Sequence, residues 1–162
     1  LQDSGLSWAS PGCSQLLAAV QRKGKKAQQV VFFESNGLRH REFALREEPG
    51  TNVTLLAWNV PSDLLAVALR EEGGTDKVQL WHRCNYHWYL KHEIQYPNQS
   101  IRAIKFNEER SYEFYVLLKG MNWYEYQVQW DPSATLPKDD QCPAFVVDGC
   151  SLNITPLEKA LI

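Results

Sequence analysis

The sequence predicts an all-β protein assembled from repeated four-stranded sheets, and three observations carry that reading. Aromatic residues are plentiful among the 162, with six Trp, seven Tyr and six Phe against a single Met, a balance that suits strands better than helices. A long segment recurs through the chain, with Trp8, Trp58 and Phe106 in equivalent places at spacings of 50 and 48 residues. In the last copy the side chains alternate: Tyr124, Tyr126, Val128 and Trp130 share one face, and Glu125, Gln127 and Gln129 the other.

Each repeat reads in the same order. The first runs "LSWASPGCSQLLAAV" and then, past a charged loop, "QQVVFFESNG"; the second runs "LAWNVPSDLLAVAL" and then "DKVQLWHRCN". The third runs "IKFNEERSYEFYVLL" and then "YEYQVQWDPS". An apolar strand ends in an aromatic, a polar or Pro-bearing turn follows, then a second apolar strand and a variable loop. The third strand closes in an aromatic at Phe33, Trp81 and Trp130, and Val30 and Val78 match at a spacing of 48. A fourth strand, "YHWYLKHEI" in the second repeat, puts Tyr86, Trp88 and Leu90 on one face and His87, Tyr89 and Lys91 on the other. A strand-only period slightly above the roughly 40–45 residues of a WD repeat describes a propeller blade. Kelch repeats of about 50 residues are the competitor in length, but the strands lack their Gly-Gly pairs. The prediction is therefore a WD40-like β-propeller of about three four-stranded blades, incomplete, with repeats at about 4–50, 51–99 and 100–140 and the start of another at 141–162. The blade anchors are Trp8, Trp58, Phe106, Trp81 and Trp130.

Few residues invite chemistry. His82, Cys84, His87 and His92 cluster, but along a strand His87 points away from His82 and Cys84, and the tight pairs of zinc sites are missing. No G-x-S-x-G elbow and no phosphate-cradling glycine loop occurs. The acidic pairs Glu47-Glu48, Glu71-Glu72 and Asp139-Asp140 fall in polar linkers. The strongest feature outside the core is "QRKGKK": Arg22, Lys23, Lys25 and Lys26 form a cationic loop suited to RNA phosphate. No aromatic platform interleaves those charges, so a solvated hairpin loop is the favoured reading and RNA phosphate contact the alternative. No catalytic residue, metal or cofactor is expected.

The formal net charge of -2 provides no general attraction to nucleic acid. Apolar runs such as "LLAVAL" are too short to span a membrane, and the opening "LQDSGLSWAS" is no signal peptide. The four cysteines lack any CxxC pair and read as small core residues. About three blades cannot close a propeller, which takes about 4–8, so the expectation is a piece of a longer one.

The segments "QQVVFFESNGL" (28–38), "LLAWNVPSDLLAVAL" (55–69), "VQLWHRCNYHWYLK" (78–91) and "VVDGC" (146–150) resemble the Elongator complex protein 1 family, the largest subunit of Elongator. The similarity runs through nearly the whole chain, and "QLW…NYHWYLK" is the part that generic WD repeats do not share. The resemblance implies a non-catalytic scaffold in a complex that adds a carboxymethyl-type group to the wobble uridine of tRNA. It implies as partners a catalytic radical-SAM acetyltransferase subunit, a second WD-repeat subunit and, through the complex, tRNA. It also implies dimerisation through regions outside this chain, and a cytoplasmic location with a nuclear one besides. Two alternatives stand beside it: a generic WD-repeat adaptor, and a secreted propeller with sequons at Asn52, Asn98 and Asn153 and disulfides Cys13 to Cys84 or Cys142 to Cys150.

Overall fold

The computed structural model describes residues 5–9, 15–22, 28–47, 50–84, 86–130 and 144–155. Every regular element among them is a strand. The first sheet holds β1 (Leu6–Trp8), β2 (Leu16–Arg22), β3 (Gln28–Glu34) and β4 (Arg39–Ala44). The second holds β5 (Asn52–Trp58), β6 (Leu64–Arg70), β7 (Asp76–Cys84) and β8 (His87–Tyr96). The third holds β9 (Ile101–Phe106), β10 (Glu113–Leu118) and β11 (Trp123–Gln127), and β12 (Ala144–Asp148) with β13 (Ser151–Thr155) forms a hairpin. All pairings are antiparallel between consecutive strands. The first strands of the three sheets lie side by side, β1 against β5 and β5 against β9. The sheets therefore fan out from a common inner line, as blades of an unclosed propeller do.

Tight turns make the meander. In both the β3–β4 and β6–β7 connections a glycine with positive φ, Gly37 (+85°) and Gly74 (+83°), closes a short hairpin loop. Their amides donate to Glu34 O and Glu71 O at 2.9 and 3.0 Å. A side chain there would force a left-handed backbone that only glycine adopts without cost.

Two apolar seams hold the fan together. Between the first and second sheets lie Leu16, Ala18, Val30 and Phe32 against Leu56, Trp58, Leu65, Val67 and Trp81. Between the second and third lie Leu64, Ala66, Ala68 and Val78 against Ile104, Phe106, Phe114 and Val116. Strand β6, "LLAVALR", feeds both, its odd residues to one side and its even residues to the other. That accounts for its continuous apolar run: a strand covered on both faces has no polar side.

A polar clasp recurs at one end of each full sheet. Arg70 faces Asp76 across β6–β7, and Arg22 faces Gln28 across β2–β3, each residue 48 positions from its counterpart. Asp76 is fully buried; it accepts two bonds of 2.7 Å from Arg70 and one of 2.7 Å from the Ile101 amide. In the first sheet Arg22 Nη2 and Gln28 Nε2 donate to Thr51 O at 2.8 and 2.7 Å. Each sheet thus grips the start of the next with groups that would otherwise be buried unpaired.

The register corrects two expected anchors. Trp58 pairs with Leu65 and Leu65 with Trp81; Trp8 pairs with Leu17 and Leu17 with Phe33. In the third sheet Phe106 pairs with Phe114 and Phe114 with Tyr126. Tyr126, not Trp130, therefore occupies the place of Trp81, because the paired arms of β10 and β11 are shorter than those of β6 and β7 while the two turns match; Trp130 lies past the end of β11 and is 41% exposed. Trp58 and Phe106 each face the preceding sheet, whereas Trp8 faces outward from the first sheet and is 61% exposed.

Candidate interaction site

The aromatic density around residues 81–90 belongs to the first seam. The Trp88 ring stacks on Phe32 with centroids 5.0 Å apart, and Phe43 lies 4.3 Å from Trp81. Trp58 Nε1 donates to Ser7 O at 3.2 Å, joining the two inner strands. Trp81 Nε1 donates to Gln79 Oε1 at 3.1 Å, and Gln79 Nε2 donates to Arg46 O and to Glu93 Oε2. The Trp58 and Trp81 indoles and the Gln79 amide thus each have a partner, as a dry seam requires.

The histidine–thiol cluster lies differently from a single strand. The chain turns at Tyr86, whose φ is +65°, so Cys84 and His87 face each other across the β7–β8 hairpin and His82 faces Tyr89. His87 is thereby on the same side as Cys84, which corrects the opposed orientation expected for one continuous strand. His92 is displaced by the bulge at Leu80 and Trp81 and pairs with Leu80. Among the described residues no three His, Cys, Asp or Glu side chains gather as metal ligands would. His82 packs its ring 4.5 Å from that of Trp130. Desolvation lowers its pKa, against the pull of the Asp63 carboxylate and with help from Lys91 and Arg83. Cys84 and Cys150 are exposed free thiols, while Cys13 and Cys142 lie outside the described residues.

Of the cationic loop, Arg22 is engaged in the clasp on Thr51 O and reaches Asn52 Oδ1 at 3.4 Å; Lys23, Lys25 and Lys26 lie outside the described residues. Two of the linker carboxylates have structural partners. Glu47 accepts from the Gln28 amide and side chain at 2.8 and 2.9 Å, and Glu71 pairs with Lys77 at 2.8 Å.

Two features went unread in the sequence. One is the position of the β12–β13 hairpin, which packs against β8, the outer strand of the second sheet. Asp148 accepts bonds from Arg46 and, at 2.9 Å, from the Leu90 amide; Lys91 Nζ donates to Val147 O at 2.7 Å. The segment "VVDG" therefore covers an edge strand, where unpaired backbone groups would otherwise be open. The other is a cleft of about 360 Å³ between the first and second sheets, bordered by His40, Arg41, Arg83, Tyr86 and Trp88. The charged run "RHRE" at residues 39–42 was its one sequence signal.

A profile of the ELP1 first N-terminal beta-propeller matches residues 2–109. Elongator complex protein 1 of Schizosaccharomyces pombe is 37% identical over 159 residues, covering 96% of this chain and 12% of the relative. Elongator complex protein 1 of Saccharomyces cerevisiae is 36% identical over 160 residues, covering 96% of this chain and 11% of the relative. The rabbit protein of the same name, from Oryctolagus cuniculus, is 34% identical over 171 residues, covering 97% and 12%. The chain spans about 12% of the length of the curated relatives it matches.

Proposed function

Because the chain belongs to the Elongator complex protein 1 family and aligns with its first N-terminal β-propeller, we propose that it is a non-catalytic scaffold segment of an Elongator assembly that modifies the wobble uridine of tRNA. The observation that carries the reading is the family match, which extends over most of the chain. The disposition of the polar groups supports it. The buried Asp76, the Ile101 amide and the Trp58 indole N–H are spent on joining one sheet to the next.

In this reading the chemistry belongs to a radical-SAM acetyltransferase subunit, and this chain acts with a second WD-repeat subunit to hold it. The parent protein dimerises through regions outside this chain and works in the cytoplasm, with a nuclear pool. The blade-like units at about 4–50, 51–99, 100–140 and 141–162 are part of the same proposal.

Affinity purification of the full-length parent protein from its own cells tests it. Recovery of the acetyltransferase-like subunit and of the second WD-repeat subunit is the expected result. Recovery of a ubiquitin ligase or a trafficking coat in their place would leave the propeller and replace the scaffold function with that of a generic adaptor.

A further inference from the structure

A scaffold needs docking surfaces, and the cleft between the first and second sheets combines two parts of one. Its inner wall is apolar: Leu16 and Phe32 are buried, and half-buried Trp88 stacks on Phe32. Its mouth carries the guanidinium groups of Arg41 and Arg83, with the His40 ring and the exposed Tyr86 beside them. Arg41 is held in place, its Nη1 donating to Tyr86 O at 3.2 Å and its guanidinium carbon 5.3 Å from the Tyr86 ring centroid.

The charges at this mouth lack their complement. Four of the other six described arginines pair with acids: Arg39 with Glu42, Arg46 with Asp148, Arg70 with Asp76 and Arg110 with Glu113. Among the described residues no carboxylate lies in ion-pair range of Arg41 or Arg83, and Glu34 is turned to His40 at 3.4 Å. Two guanidinium forks above an apolar slot suit a carboxylate next to an apolar side chain, because the fork binds a carboxylate through paired N–H groups.

We propose that this cleft docks an acidic peptide segment of another protein, with an apolar side chain against Phe32 and Trp88 and a carboxylate on Arg41 and Arg83. The inference rests on the scaffold reading and names a class of partner for it. RNA fits less well. Phosphate-driven binding draws on many cations, about 6–10 contacts in strong cases, and this chain carries a net charge of -2. The stacking face of Trp88 is already taken by Phe32, and Arg41 lies over Tyr86. Both rings at the cleft therefore already carry a partner, which leaves less of a platform for successive bases.

The sample for the test is the full-length protein in its complex, and the probe is a display library of short random peptides. The enriched peptide is then synthesised with a fluorophore for titration. Enriched sequences are expected to place Asp or Glu within about four residues of Leu, Ile, Phe or Trp. Arg41→Ser and Arg83→Ser are each expected to weaken the selected peptide about tenfold. Lys105→Ser, on the third sheet, is expected to leave it unchanged. Enrichment without acidic residues, or unchanged affinity in both arginine variants, would overturn the proposal. Binding of a uridine oligonucleotide that is lost in the same variants would also overturn it, in favour of RNA. Co-purifying subunits are scored in parallel: their loss from the wild-type protein sinks the scaffold reading, and their retention alongside a failed selection sinks the cleft alone.

Discussion

Arg70 grips both carboxylate oxygens of Asp76 at 2.7 Å, directly across the β6–β7 pair. The same carboxylate receives the Ile101 amide, the first residue of the next sheet. Asp76→Ala leaves that buried amide without an acceptor and the guanidinium without its acid. The expected loss is about 3 kcal/mol, set by a buried pair with one partner partly exposed. Denaturant unfolding of the propeller checks it. A change under about 1 kcal/mol would mean that the seam does not depend on the clasp.

Two tryptophans that the repeat marks as blade anchors should behave differently from each other. Trp81 is 3% exposed in the first seam, so Trp81→Ala is expected to cost about 3–5 kcal/mol. Trp8 is 61% exposed in this segment, and in the 162-residue segment by itself Trp8→Ala is expected to stay within about 0.5 kcal/mol. Equal losses at the two positions would contradict the outward orientation of Trp8.

His82 gives the stability a pH dependence. Its folded-state pKa is lowered, chiefly by desolvation, so the unfolded chain binds the proton more readily. Stability is therefore lost as the pH falls through the ordinary imidazole value of 6.5, and the loss levels off below the folded-state value. His82→Gln should flatten this component, reducing the change in unfolding midpoint between about pH 7.5 and about pH 5.5. An identical pH profile in the variant would show that His82 is not the titrating group.

Asp148 secures the β12–β13 hairpin. Because it accepts the Leu90 amide, Asp148→Ala is expected to speed hydrogen exchange at Leu90 about tenfold or more without unfolding the second sheet. Gly149→Ala should act in the same direction: the φ there is +61°, and an added Cβ would lie 2.5 Å from Arg46 Nη1. Unaltered exchange at Leu90 in both variants would show that the hairpin does not protect β8.

The sheets were legible because burial on both faces of β6 and the 48-residue spacing of Val30 and Val78 impose a repeat on the sequence itself. Anchor roles were legible only where a second sheet stands opposite. The alignment puts Trp8 level with Trp58, but burial depends on which neighbour a face meets, and a repeat is silent about that. Trp130 misled through simple counting, since the shorter arms of the β10–β11 pair move the equivalent place to Tyr126. The cleft and the hairpin lock join residues far apart in sequence, 45 positions for Arg41 and Tyr86 and 102 for Arg46 and Asp148. No local pattern of alternation or turn chemistry encodes such pairs.

The strictly consecutive pairing of strands also has a consequence for synthesis. Each four-stranded sheet can be completed from residues already made, and its clasp then offers hydrogen-bonding groups to the segment that emerges next, donors in the first sheet and the Asp76 acceptor in the second, so the fan can build outward from the amino end as the chain leaves the ribosome. The Asp148 hairpin alone must reach back past a finished third sheet to the second. It closes last, and β8 is left as an open edge until it does.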